Sequence, residues 1–168
     1  MEANHLWNKS IVPEPVRYSH VTTTAYLSKL LQLEYDHNMQ DWDLELADAK
    51  RLNEFCDLYE SATLSRDHES RFALMELIIA SCDDDLNSGP KEKSERDALI
   101  DIATRVYHFL CQEFVLHIHT INYWRLPKEG DITNVFKVTP FMRKVWGDCY
   151  VSEFAHFLDE DETEDSSM

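Results

Sequence analysis

The sequence predicts an all-α fold: a single-domain helical bundle of five or six helices with a disordered acidic C-terminal tail. Three observations carry that prediction. Only three glycines and five prolines occur in 168 residues, too few for the many tight turns of a sheet-rich protein. Apolar side chains return at helical spacing over long stretches. Cap and breaker signals, such as Asn87-Ser88-Gly89-Pro90 and Thr139-Pro140, punctuate those stretches. With 43% hydrophobic and 11% aromatic residues, the chain can bury a core despite its net charge of −16. Its length fits one domain. The expected organisation is an extended lead-in over 1–18, a helical domain over 19–158 and an acidic tail over 159–168.

The lead-in contains Pro13 and Pro15. A first helix is expected over 19–37, with Ala25, Leu27, Leu30, Leu31, Leu33 and Tyr35 as its apolar residues, although the run Thr22-Thr23-Thr24 is poor helix material. Asp41 or Asp43 can cap a second helix over 43–62. There Leu44, Ala47, Leu52, Phe55, Cys56 and Tyr59 form an inward stripe, and Glu45, Asp48, Glu54, Asp57 and Glu60 fall outside it. Ser65 is the expected cap of a third helix over 66–86, whose middle is apolar on nearly all sides and so reads as buried. Gly89 and Pro90 stop it.

Ser94 and Asp97 resemble a capping box that opens a central helix over 95–124. At nearly 30 residues it allows a bend near 117–120. The stretch 134–138 reads as a loop or one short strand. Thr139 as cap and Pro140 at the first helical position start a two-turn helix that Gly147 closes. A last short helix is expected over 150–158. Beyond it, like charges and a lack of apolar residues predict disorder.

Charge is concentrated rather than spread. Between Glu34 and Glu60 nine acids face Lys50 and Arg51, a net of −7, and 159–165 holds six acids and no base. Asp83, Asp84 and Asp85 add three more, whereas 86–158 is balanced. Such a surface is repelled by phosphate backbones and anionic lipid, which argues against direct nucleic-acid or membrane binding. The N-terminus lacks the basic start and apolar run of a signal peptide. No stretch approaches the ~18 apolar residues of a membrane span. Cys56, Cys82, Cys111 and Cys149 form no C-x-x-C pair and read as reduced core residues. Together these features predict a cytoplasmic protein.

Several groupings invite a chemical reading. Glu34-Tyr35-Asp36-His37 and Glu153-Phe154-Ala155-His156 share the Glu-x-x-His spacing of di-iron bundles. With so many glutamates and histidines, chance alone supplies roughly one such pair, so surface residues are the expectation and no metal site is assigned. His108, His117 and His119 point to different sides of a helix. Glu113 and His117 share a face and read as a charge-assisted pair. Asp83-x-Asp85-x-Asn87 has the opening spacing of a calcium loop, but Ser88 and Ser94 stand where glycine and glutamate are needed. No nucleophile elbow, phosphate loop or zinc spacing is present.

No catalytic residue, cofactor or enzyme activity is therefore expected. The composition points instead to a protein that binds a basic protein, such as a nuclease or another nucleic-acid-binding protein, in the manner of an inhibitor, an immunity protein or a mimic of DNA charge. The expected binding face comprises Asp41, Asp43, Glu45, Asp48, Glu54, Asp57, Glu60, Asp83, Asp84 and Asp85. The alternatives are a structural or assembly subunit with a merely solubilising surface and, behind it, a di-metal carboxylate enzyme.

Overall fold

The computed structural model describes residues 14–158, and among these every regular element is helical, with no strand. Six α-helices have eight residues or more: α1 (Val21–Leu31), α3 (Leu52–Glu60), α4 (His68–Asn87), α5 (Lys93–Gln112), α6 (Ile118–Arg125) and α7 (Thr139–Cys149). A four-residue α2 (Trp42–Glu45) and three short 3-10 segments complete the set. The first thirteen residues of the expected lead-in and the acidic tail lie outside the described residues. The chain divides into two units, Val16–Val106 and the residues from Tyr107 onward, and α5 runs from the first into the second. None of the described helices is long and apolar enough to cross a membrane.

In the first unit α4 is the core element. Phe72, Ala73, Leu74, Met75, Leu77, Ile78, Ile79 and Ala80 are all buried, as expected of a helix apolar on nearly all sides. It can be so because α1, α2, the 3-10 segment Ala49–Arg51 and α3 all pack against it. Its cap is Asp67 rather than Ser65. The Asp67 carboxylate accepts from the Ser70 backbone N–H at 3.0 Å and from the Ser70 hydroxyl at 2.6 Å, whereas the Ser65 hydroxyl donates back to the Ala62 carbonyl. Gly89, at φ +97°, follows its end as the sequence suggests.

Two expected helices are shorter than their apolar patterns. α1 stops at Leu31, not His37, because Gln32 adopts the left-handed conformation (φ 55°) and Leu33 N–H closes back on the Ser28 carbonyl at 2.8 Å. The expected helix over 43–62 is broken into α2, the 3-10 segment and α3. Asp48 is extended there: its N–H donates to Ser81 Oγ on α4 at 3.0 Å, and its carboxylate accepts from Lys50 N–H. That anchoring interrupts the helix and changes which residue faces inward. Leu44 is half exposed, and Trp42 takes the buried place, with its indole N–H donating to Ser28 Oγ at 2.9 Å.

The expected central helix over 95–124 is also two helices. α5 begins at Lys93, so Ser94 lies inside its first turn rather than capping it. Turns over 113–117 separate α5 from α6, slightly ahead of the expected bend at 117–120. In the second unit α6 packs on α7. Thr139 is not a cap: it is fully buried, and its hydroxyl donates to the Trp124 carbonyl at 2.7 Å, tying the two helices together. Gly147 does not close α7, which continues to Cys149. Of the stretch 134–138, Asn134 ends the 3-10 segment Ile132–Asn134 and the rest is a loop, and 150–158 contributes the 3-10 segment Ser152–Phe157.

Aromatic packing fills this second unit. Phe114 from the α5–α6 turns stacks on Phe154 and lies 5.5 Å from Trp146, which stacks on Tyr150 at 4.6 Å. The Arg125 guanidinium sits 3.7 Å from the Trp146 ring centroid. Arg143 donates to the carbonyls of Arg125, Leu126 and Glu129, strapping the connection that follows α6.

The expectation of four reduced cysteines is corrected here. Cys111 and Cys149 form a disulfide, with Cα atoms 5.6 Å apart, and only Cys56 and Cys82 are free thiols. The ends of α5 and α7 meet in the fold, and the 38-residue separation gives no hint of it. The argument from cysteine usage to a reducing compartment falls with it.

Candidate functional site

A row of exposed carboxylates lies on α3. Leu52, Phe55, Cys56 and Tyr59 are buried and anchor the helix on α4, while Asn53, Glu54, Asp57 and Glu60 are exposed. At 100° per residue the three carboxylates fall on one side of the helix, opposite the apolar stripe. The expected segregation of acid from core therefore holds along this helix.

Two arginines organise the row. Arg51 holds Glu54 in a two-pronged contact, Nε to Oε2 at 2.8 Å and Nη2 to Oε1 at 2.6 Å, and also donates to the Leu31 carbonyl. That hydrogen bond and charge keep the Glu54 carboxyl below its ordinary range. Arg105, on α5, bridges Asp57 and Glu60 at 2.9 Å each. Asp57 nevertheless keeps 72% of its side-chain surface exposed and Glu60 51%. One added cation against a net of −7 leaves the surface strongly negative.

The other expected residues are placed differently. Asp41 and Glu45 are exposed at the two ends of α2, and Asp43 is half-buried, its carboxyl raised by burial against two backbone hydrogen bonds, with Asp41 adding to the rise. Asp48 is half-buried in its capping role. Asp83, Asp84 and Asp85 lie inside the last turns of α4, not in a loop. Asp84 is exposed, Asp83 accepts from Asn87, and Lys91 reaches Asp85 at 2.6 Å. A helical backbone at these positions is incompatible with a calcium loop.

Glu34 and His37 lie in the loop after α1, and Glu153 and His156 lie in the last 3-10 segment, so neither Glu-x-x-His pair rides on an α-helix. His156 Nδ1 is 2.7 Å from the Glu153 carbonyl oxygen. Glu113 and His117 are both buried, at either end of the turns between α5 and α6, whereas His108 is exposed. Among the described residues no three His, Cys, Asp or Glu side chains gather as metal ligands.

Sequence reading missed one carboxyl. Glu76 interrupts the buried face of α4 and accepts from the Ser19 hydroxyl at 2.5 Å. Burial pushes it up to about 7, with the Ser19 hydrogen bond opposing and Asp43 adding to the rise. The signal was present as a lone acid inside Leu74-Met75-Glu76-Leu77-Ile78. Compared with known proteins, the chain matches no family model, and neither a curated protein nor a solved structure proved similar to it.

Proposed function

We propose that this chain binds a basic protein through the acidic row of α3, with Asp41, Asp43, Glu45 and Asp48 before it and Asp83, Asp84 and Asp85 on α4 extending the negative field. The observation that carries the reading is the side-by-side display of Glu54, Asp57 and Glu60 on a helix whose other face is buried. Carboxylates on a packed helix are pre-positioned, so a partner's lysines and arginines meet them at small entropic cost. The negative field speeds encounter and rejects acidic competitors. Arg51 and Arg105 fix the spacing of the row without neutralising it.

A partner suited to such a surface carries clustered Lys and Arg at phosphate-like spacing, as a nuclease or other nucleic-acid-binding protein does. The role is then that of an inhibitor, an immunity protein or a mimic of DNA charge, by binding and without catalysis, and with no direct hold on nucleic acid or membrane. We place that encounter in the cytoplasm, a setting in which a disulfide such as Cys111–Cys149 is uncommon and depends on its burial to persist.

The triple variant Glu54→Gln, Asp57→Asn, Glu60→Gln tests the reading, since it removes charge at nearly constant shape. Capture of basic proteins from the native host at low salt is expected to fall at least tenfold, with the helical circular dichroism unchanged. Equal capture by the variant would leave the acid as a solubilising coat and favour a structural or assembly role.

A further inference from the structure

We propose that an apolar ridge on α1, Tyr26 and Leu30, completes the acidic row of α3, and that the two together seat a basic amphipathic helix of the partner. The inference rests on the reading that the row binds a basic protein, and it names the element the row takes. The ridge follows from helix geometry. Thr24, Leu27, Ser28 and Leu31 form the buried stripe of α1, yet Tyr26 and Leu30, one turn apart, stay 42% and 41% exposed. Each is two residues from Ser28 and so lies nearly opposite it around the helix axis. Ser28 accepts the Trp42 indole N–H, which ties α2 to the far side of α1 and leaves the ridge uncovered.

Arg51 joins the ridge to the row. Its guanidinium donates to the carbonyl of Leu31, the residue after Leu30, and grips the Glu54 carboxylate at 2.6 and 2.8 Å. It also lies 5.5 Å from the Phe55 ring centroid. The C-terminal end of α1 is thereby fixed beside the first acid of the row. From Glu54 the carboxylates continue along α3 to Asp57 and Glu60, where Arg105 of α5 closes the strip. Lys29, the only charged residue of α1, is exposed at the rim of the ridge.

The pattern selects the occupant. Glu54, Asp57 and Glu60 advance about 4.5 Å per step along α3. Lysines or arginines three and four residues apart on a helix repeat near that interval, whereas same-side residues of an extended strand repeat at about 7 Å. A purely charged segment would leave Tyr26 and Leu30 in water. One that carries two apolar side chains a turn apart beside its basic row removes them from it. Exposed ion pairs contribute little by themselves and are screened by salt. The apolar contact therefore supplies the affinity that survives at ordinary ionic strength, and the acids supply steering and register.

Two synthetic peptides of identical composition test this on the full chain. One places leucines and lysines at helical spacing on adjoining faces, and the other scrambles the same residues. In fluorescence anisotropy the amphipathic peptide is expected to bind at least about tenfold more tightly, and to keep most of that advantage from about 50 to about 500 mM salt. Tyr26→Gln with Leu30→Gln, which keeps good helix formers on α1, is expected to erase the difference and leave only salt-sensitive binding of both. Nitration of the wild type by tetranitromethane, located by mass spectrometry, needs no variant. The amphipathic peptide should shield Tyr26 and leave Tyr123, exposed in the other unit, reactive. Equal binding of the two peptides, an undiminished difference in the ridge variant or undiminished nitration of Tyr26 overturns the ridge while a charge-only interface stands. Undiminished binding of the amphipathic peptide by the triple variant Glu54→Gln, Asp57→Asn, Glu60→Gln overturns the reading beneath it, and the inference with it.

Discussion

Thr139 shows how one hydroxyl can matter more than a surface ion pair. Its side chain is fully buried and donates to the Trp124 carbonyl, so replacing it by valine keeps the shape and leaves that carbonyl unsatisfied. A loss of about 1–3 kcal/mol is expected for Thr139→Val, measured by urea denaturation. Arg105 makes two ion pairs but stands at the surface beside well-exposed carboxylates. Arg105→Gln is expected to cost no more than about 1 kcal/mol, because exposed pairs gain little over hydration. Under the proposed function the same change strengthens binding of a basic partner, since two carboxylates lose their internal cation. Glu76 adds a pH dependence with a definite sign. Its carboxyl is raised from 4.5 to about 7 in the folded protein, so the native state holds the proton more tightly than the unfolded chain. Stability is fully present below pH 4.5, is lost as pH rises to 7 and is flat above. The span is on the order of 3 kcal/mol, and Glu76→Gln should abolish it in melts run from pH 4.5 to 8.

At the level of elements, local signals and long-range ones were legible to different degrees. The existence of α4, its burial and its Gly89 stop could be read from composition, because an apolar stretch followed by Asn-Ser-Gly-Pro leaves few alternatives. The inward stripe Leu52, Phe55, Cys56 and Tyr59 of α3 could be read for the same reason. The break before α3 could not, since it depends on Asp48 finding Ser81 on α4, a partner 33 residues away. The same holds for the cap. Ser65 and Asp67 are both acceptable N-cap residues by type, and only the backbone path decides between them. Asp67 accepts two hydrogen bonds from Ser70, so Asp67→Ala is expected to cost about 1–2 kcal/mol, while Ser65→Ala leaves the cap of α4 intact. Comparing the two melting curves checks which residue starts the helix.

Across the whole molecule, the sequence made the charge pattern visible and left the covalent one hidden. The acidic row could be found by counting, whereas Glu76 was masked by the apolar residues that surround it and Cys111 and Cys149 by the 38 residues between them. Neither cysteine lies in a spacing motif, and pairing required the ends of α5 and α7 to meet. The disulfide closes a long loop that contains all of α6 and most of α7. Constraining a loop of that length in the unfolded chain is worth about 4 kcal/mol in the chain-entropy account. Cys111→Ala with Cys149→Ala is therefore expected to lower the melting temperature by about ten degrees, after allowance for the size of the chain. Thiol counting checks the premise independently. Protein quenched at harvest and denatured without reductant should expose two thiols, Cys56 and Cys82, and four after reduction. Four thiols before reduction would mean that the pair is open in its native compartment. The second unit then rests on its aromatic packing, on the Arg143 strap and on Thr139, and the double alanine variant should melt close to the wild type.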